Sequence, residues 1–138
     1  MEVEINKVDG LKLKGKDDAG HEIIIDTIKD FGGHDSAPAP MSLVLFSLGS
    51  CTLMDVISLI DKMKVNYDDI KVKVSGVRHD EHPKVFKSIK VKYIIYGKDP
   101  DEAKIKKAIN LSTEKYCSVH AMLEKSVKIS SGFEIVKN

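Results

Sequence analysis

Residues 38–60 read PAPMSLVLFSLGSCTLMDVISLI, and the part from Met41 to Ile60 is the least polar stretch of the chain. It follows a loop rich in glycine and proline, residues 31–40, which cannot sustain a helix. We predict that a helix begins near Met41 and runs to about Lys64, with apolar residues on nearly every face. Such a helix is buried in a core or between subunits. A chain of 138 residues can hardly surround it alone, so we predict that a second copy covers it in a homodimer.

The same stretch is long enough to span a bilayer, but Asp55 and several serines interrupt it. An aspartate in mid-helix is costly in lipid, so a buried helix is the better prediction. The formal net charge of +1 gives no overall field for nucleic acid or an anionic membrane. The N-terminal residues, MEVEINKVDG, carry acidic groups where a secretory signal needs a basic start. We therefore expect a soluble, cytoplasmic protein that binds neither nucleic acid nor membrane.

The first part of the chain has the pattern of short strands joined by turns. Alternating or β-branched residues predict strands at Glu2–Lys7, Leu11–Lys16 and His21–Ile28. The turns between them fall at Asp9-Gly10 and Ala19-Gly20, and Asp-Gly is a strong hairpin signal. A three-stranded antiparallel meander follows from this order.

Two more strands are predicted after the helix, at Ile70–Val77 and Val85–Ile95. A second helix then begins. We predict Asp99 as its N-cap, Pro100 as its first residue and Glu102 as the partner in a capping box.

The apolar period of this second helix slips beyond Thr113, which predicts a break before a shorter helical piece at Ser118–Leu123. Ser126–Val136 closes the chain as a last strand or hairpin, with Ser131-Gly132 as the turn. The order of elements predicts an α+β fold with a single domain, residues 1–138.

The two cysteines lie in different settings. Cys51 is in the apolar helix, and Asp55 shares its helical face. Burial and a nearby carboxylate both raise the pKa of a thiol, so Cys51 needs a positive group to be reactive. Cys117 lies near the start of the short helix, where backbone N–H groups favour a thiolate. Spacing does not show that the two thiols meet, and each can simply be a small core residue.

The cysteine and histidine spacing argues against a metal site. The chain has no C-x-x-C, and the histidines form no ligand-like pattern with either cysteine except His120, three residues after Cys117. An exposed histidine on a helix face is the commoner case. We therefore expect no bound metal.

The string PAPMSLVLFSLGSCTLMDVISLI, followed by EHPKVF and then EKYCSVHAML, resembles the OsmC/Ohr family, which is named for osmotically induced and organic-hydroperoxide-resistance proteins. The likeness is greatest to its mostly uncharacterised OsmC-like branch. It covers nearly the whole chain in the right order. The resemblance implies an intertwined α+β homodimer with the central helices at its core and paired cysteines near the interface.

The resemblance also implies a peroxiredoxin-like activity, the reduction of organic hydroperoxides. Cys51 matches the position that attacks the peroxide, and Cys117 matches the resolving position that forms a redox-active disulfide with it. No cofactor is implied, and an external dithiol has to regenerate the enzyme.

Two departures from the family pattern point to other candidate residues. The best-studied hydroperoxidases have a glutamate about ten residues before the first cysteine, where this chain has Met41 and Ser42, and an arginine near the N-terminus. Here Arg78 is the only arginine. Arg78, Glu114 and Asp55 are the candidate supporting residues, although Arg78 and Glu114 also fit solvated surface positions. The departures favour an alternative: a non-catalytic or weakly redox-active protein that binds a hydrophobic small molecule at the dimer interface.

Overall fold

The computed structural model describes all 138 residues, which form two compact units, Met1–Val44 and Leu45–Asn138. Strands and helices are mixed, and the predicted α+β class is confirmed. The single-domain organisation stays a prediction.

The first unit contains a three-stranded antiparallel sheet, as predicted. Its strands are β1 (Val3–Asp9), β2 (Lys12–Asp17) and β3 (Glu22–Ile25), in the order β1-β2-β3. Gly10, in the turn between β1 and β2, has φ +55, a conformation that glycine adopts without a steric penalty. The Asp-Gly signal therefore identified the hairpin correctly.

The loop after β3 is organised by Asp26, whose side chain is buried. Its carboxylate accepts hydrogen bonds from the backbone N–H groups of Thr27, His34 and Ser36 and from the Ser36 hydroxyl. The Ser36 hydroxyl and these backbone donors hold the pKa of Asp26 well below its usual range. The loop thus depends on an ionised side chain.

Helix α1 spans Pro40–Lys62, close to the predicted range. Within the chain it buries one stripe: Leu48, Gly49, Thr52, Val56 and Ile60. A Cβ on Gly49 would lie 2.9 Å from Val74 Cγ2, so the glycine allows close approach of the helix to a strand.

The other apolar side chains of α1 are only partly covered by this chain. Phe46 is 63% and Met54 70% exposed. By length and mean hydropathy α1 is able to cross a membrane, and 28% of its apolar window is buried within the chain. Its burial is therefore partial in one copy, and its covering by a second copy stays a prediction.

The second unit contains the sheet β4-β5-β6. Strands β4 (Asp69–Arg78) and β5 (Phe86–Tyr96) pair antiparallel, close to the predicted ranges. The core of this unit consists mainly of branched side chains from α1, β5 and the second helix, with one tyrosine. Its largest members are Tyr93, Leu48, Ile60, Ile89, Ile95, Ile105, Val56 and Val91.

Helix α2 spans Glu102–Leu111, and its predicted cap was wrong. The N-cap is Asp101, whose carboxylate accepts a hydrogen bond from the backbone N–H of Lys104 at 3.1 Å. Asp99 and Pro100 precede the helix. Two aspartates flank the proline, and sequence alone does not reveal which of them reaches a free N–H group.

The predicted break after Thr113 is confirmed. A π-helical turn, Ser112–Tyr116, separates α2 from α3 (Ser118–Leu123). The predicted turn at Ser131-Gly132 was wrong, because β6 (Lys128–Val136) runs through it as one strand. It pairs in parallel with β5 over its whole length, and this ladder outweighs the local turn preference.

Candidate functional site

The two cysteines, far apart in the sequence, meet in the second unit. Cys51 lies on α1, and Cys117 is the N-cap of α3. Their sulfur atoms and a carboxylate oxygen of Asp55 all lie within 4.8 Å of one another. Both cysteines are free thiols. The fold therefore assembles a dithiol site beside one carboxylate.

Cys117 is the more buried thiol, with 2% of its surface exposed. Its Sγ accepts a hydrogen bond from the backbone N–H of His120 at 3.3 Å, the capping contact that was predicted to favour a thiolate. Desolvation and a hydrogen bond with Cys51 outweigh that contact and raise the pKa of Cys117 to about 11. The expected activation was thus wrong, and Cys117 is a neutral thiol at pH 7.

Cys51 and Asp55 are both half-buried. They lie one helical turn apart on the same face of α1, as their spacing predicted. Asp55 Oδ2 accepts a hydrogen bond from the Ser112 hydroxyl at 3.0 Å. The carboxylate is therefore fixed by the π-helical turn that leads to Cys117.

Three buried hydroxyl groups extend from Asp55 into the core. Ser112 Oγ is 2.9 Å from Thr52 Oγ1, which in turn is hydrogen-bonded to the hydroxyl of Tyr93. Each hydroxyl has a single proton. Because Ser112 donates to Asp55, Thr52 must donate to Ser112 and Tyr93 to Thr52. All the hydrogen bonds of this hydroxyl chain therefore donate in the same direction, and the last one ends on the Asp55 carboxylate beside the thiols.

Burial also keeps Tyr93, the end member of this hydroxyl chain, neutral. Tyr93 has 0% of its surface exposed, and desolvation raises its pKa to about 12. Sequence reasoning did not single out Thr52 or Tyr93. The one available signal was a threonine and a tyrosine at core positions of apolar elements, because buried hydroxyl groups need partners.

The other candidate supporting residues lie in exposed positions. Arg78 is exposed at the end of β4, and its Nε donates to the carbonyl oxygen of Lys84 at 2.6 Å. Glu114 is exposed in the π-helical turn. Of the two acidic candidates, Asp55 is the one that lies with the cysteines.

His120 differs from its prediction. It is buried, with 6% of its surface exposed, rather than lying on an open helix face. Its Nδ1 has no hydrogen-bond partner and lies 3.7 Å from Glu124 Oε2. Its imidazole nitrogens are not part of the cluster formed by Cys51, Asp55 and Cys117.

The arrangement offers two kinds of chemistry. Neighbouring thiols can be oxidised to a disulfide after a rearrangement that brings the sulfurs into bonding distance. Two sulfurs and a carboxylate oxygen are also a ligand set suited to a thiophilic metal ion.

Comparison with known proteins places residues 33–132 of the chain on the family described as OsmC-like protein. The chain is 38% identical over 136 residues to Protein YhfA of Escherichia coli (strain K12), covering 99% of this chain and 98% of that protein.

Solved structures share the fold. A hypothetical protein from Aquifex aeolicus VF5 is 34% identical with a TM-score of 0.86, covering 99% of this chain and 96% of that one. A protein of Legionella pneumophila, described as organic hydroperoxide resistance protein OsmC and predicted redox protein, is 12% identical with a TM-score of 0.72. That match covers 96% of this chain and 95% of the other. At that identity the likeness concerns the fold alone.

Proposed function

Because the chain belongs to the OsmC-like protein family, we propose that it is a thiol-dependent peroxidase that reduces organic hydroperoxides through Cys51 and Cys117. The observation that carries this proposal is the meeting of the two sulfurs within 4.8 Å. Two free thiols that lie side by side are what a two-cysteine redox cycle requires. A relative in fold, the Legionella protein, is described as an organic hydroperoxide resistance protein.

The two environments support different roles for the two thiols. Cys51 is half-buried and open to a substrate, whereas Cys117 is enclosed. The hydrogen bond that raises the pKa of Cys117 leaves its S–H directed at the sulfur of Cys51. A thiol that keeps its proton is a poor nucleophile, so Cys117 suits the resolving role better than the attacking one. Cys51 is therefore the attacking sulfur and Cys117 the resolving one.

The reaction proceeds in two steps. The sulfur of Cys51 attacks the O–O bond and takes one oxygen as a sulfenic acid, while the thiol proton ends on the leaving alkoxide to give an alcohol. The thiol of Cys117 then condenses with the sulfenic acid, which forms a disulfide and releases water. An external dithiol reduces the disulfide, and the cytoplasm supplies such reductants. No cofactor takes part.

Asp55 supports the first step as a proton carrier. The glutamate of the family's hydroperoxidases is missing here, because Met41 and Ser42 stand at the helix start. Their N-terminal arginine is missing as well, because Arg78 is the only arginine. The Asp55 carboxylate lies within 4.8 Å of the Cys51 sulfur and is held by Ser112. It can accept the Cys51 proton and return it to the alkoxide, so no net charge has to be created at the site.

Exposed apolar side chains next to the thiols support an organic substrate. Met54 is one turn from Cys51, Tyr116 directly precedes Cys117, and both are exposed in the single chain. An alkyl group can pack on such surfaces, whereas hydrogen peroxide gains nothing from them. Leu48, by contrast, is fully buried and belongs to the core.

A homodimer is the assembly that covers the open face of α1. Phe46 and Met54 are large apolar groups left exposed within one copy. Asp55 on the same helix argues against lipid as the cover. Sedimentation equilibrium should give twice the mass of the chain, and replacing Phe46 with lysine should shift the protein towards monomers. A wild-type monomer at micromolar concentration contradicts this assembly.

The alternative function is that of a non-catalytic protein that binds a hydrophobic small molecule at the dimer interface. The raised pKa of Cys117 favours it, because a neutral thiol is a poor nucleophile. The lack of the family's glutamate at the helix start and of an arginine before Arg78 favours it as well.

One experiment separates the two functions. Reduced protein is mixed with one equivalent of cumene hydroperoxide, and free thiols and intact mass are followed. The peroxidase loses both thiols and two hydrogens. Cys117→Ser should stop at an added oxygen on Cys51, and Cys51→Ser should not react. Unchanged thiols in the wild-type protein leave only the alternative.

A further inference from the structure

The cluster of Cys51, Asp55 and Cys117 has the composition of a metal site as well as of a redox site. Two sulfurs and one carboxylate oxygen lie within 4.8 Å of one another. Zinc–sulfur bonds of about 2.3 Å place two ligand sulfurs of a tetrahedral ion about 3.8 Å apart. The observed separations of up to 4.8 Å are close to that spacing.

The surroundings hold two of the three ligands in place. Ser112 donates to Oδ2 of Asp55 and so orients the carboxylate. The His120 backbone N–H donates to the sulfur of Cys117. Hydrogen bonds of this kind orient the ligands of metal sites and tune their basicity. Cys51 is half-buried, which leaves a route from solvent.

The charge of the cluster points the same way. A thiophilic cation displaces the protons of the two thiols when it binds, so its ligands become two thiolates and one carboxylate. The ion pairs of this unit, Lys92–Glu134, Lys104–Asp101 and His120–Glu124, do not include Asp55. A divalent cation is the partner that such a cluster lacks, and two sulfurs select a thiophilic one.

We propose that the reduced protein binds one thiophilic divalent ion, with Zn²⁺ as its representative, through Cys51, Asp55 and Cys117. Two sulfur–zinc bonds form, the two thiol protons leave to solvent, and water fills the fourth position. The bound ion occupies the attacking sulfur and so holds the protein in an unreactive reduced form. Only this last consequence rests on the proposed peroxidase function.

Direct competition for Zn²⁺ tests the site without any peroxide. Reduced, metal-free protein is titrated against a chromophoric zinc chelator, and one ion per chain is expected. Cys51→Ser and Cys117→Ser should each abolish the competition. Asp55→Asn should weaken affinity at least tenfold, and Ser112→Ala, which removes an orienting hydrogen bond, about tenfold.

A matched control lies on the same helix. Asp61→Asn removes the same charge at an exposed position and should leave zinc affinity unchanged. Wild-type protein that competes no better than Cys51→Ser overturns the proposal. So does zinc binding that survives both cysteine substitutions, because surface histidines then hold the ion, or an affinity that Asp55→Asn does not change.

The zinc site and the peroxidase function can be refuted independently of each other. If the wild-type protein binds zinc but its thiols do not react with cumene hydroperoxide, the metal site is supported and the peroxidase function is refuted. If the thiols react with peroxide at the same rate with and without one equivalent of Zn²⁺, the inhibitory consequence is refuted.

Discussion

Replacing Thr52 with valine should destabilise the protein more than replacing Tyr93 with phenylalanine. Thr52 is the middle member of the hydroxyl chain, with Tyr93 on one side and Ser112 on the other. All three side chains are buried. Each of these hydrogen bonds should therefore contribute the free energy that is typical of the protein interior, rather than the smaller value of a surface hydrogen bond.

The difference follows from which group loses its partner. Without the Tyr93 hydroxyl, Thr52 still donates to Ser112, so the cost is one buried hydrogen bond, about 1 kcal/mol. Without the Thr52 hydroxyl, the Tyr93 hydroxyl is buried with no partner, while Ser112 keeps Asp55. Desolvation of the orphaned hydroxyl brings that cost to about 2–3 kcal/mol.

The double variant makes the test specific. Once Tyr93 is phenylalanine, the Thr52→Val change leaves no buried hydroxyl group without a partner. The free energy of unfolding of the double variant should therefore fall by about 2 kcal/mol, which is less than the sum of the two single losses. The measurement is urea denaturation followed by far-ultraviolet circular dichroism, in reductant and at one protein concentration, since dimerisation contributes to stability. Additive losses, or a Tyr93 variant that is the less stable of the two, refute the directed chain.

Three further perturbations test other parts of the molecule. Asp55→Asn should slow peroxide-dependent thiol loss about a hundredfold, the usual worth of a proton carrier, while Asp61→Asn should react at the wild-type rate; equal rates for both remove Asp55 from the mechanism. Gly49→Ala should lower the free energy of unfolding in urea by about 1–2 kcal/mol, because its Cβ would lie 2.9 Å from Val74 Cγ2; a stabilised variant contradicts this packing. The pKa of Asp26 is lower in the folded protein than in the unfolded chain. The ionised carboxylate therefore stabilises the fold fully above the unfolded pKa, about pH 4. This stabilisation is lost as the pH falls through the lower pKa of the folded state. Asp26→Asn should therefore lower the thermal midpoint at pH 7 and differ less from wild type in acid, and an equal difference at pH 7 and in strong acid would argue against an ionised Asp26.

Patterns that depend on neighbouring residues were predictable from the sequence. The Asp-Gly turn, the apolar run that forms α1 and the break after Thr113 all appear where local preference put them. Cys117 lies at the start of α3, as expected. Each of these features is governed by backbone conformation and by hydrogen bonds within a few residues.

Local preference failed where a distant element competed with it. Ser131-Gly132 reads as a turn, yet the parallel ladder with β5 keeps these residues extended. The helix start at Cys117 was expected to lower the pKa of its thiol, but burial and Cys51 raise it. In both cases a contact between segments far apart in the sequence exceeded a preference encoded nearby.

The sequence by itself determined the elements, the α+β class and two cysteines set in a family-like pattern. Tertiary structure decided that Cys51 and Cys117 lie together, that Asp55 rather than Glu114 lies beside them, and that Tyr93 and Thr52 extend the network. The reason is physical: periodicity along a chain fixes which face of an element is buried. Which side chains meet across that buried face depends on how the elements pack, and no local pattern records it.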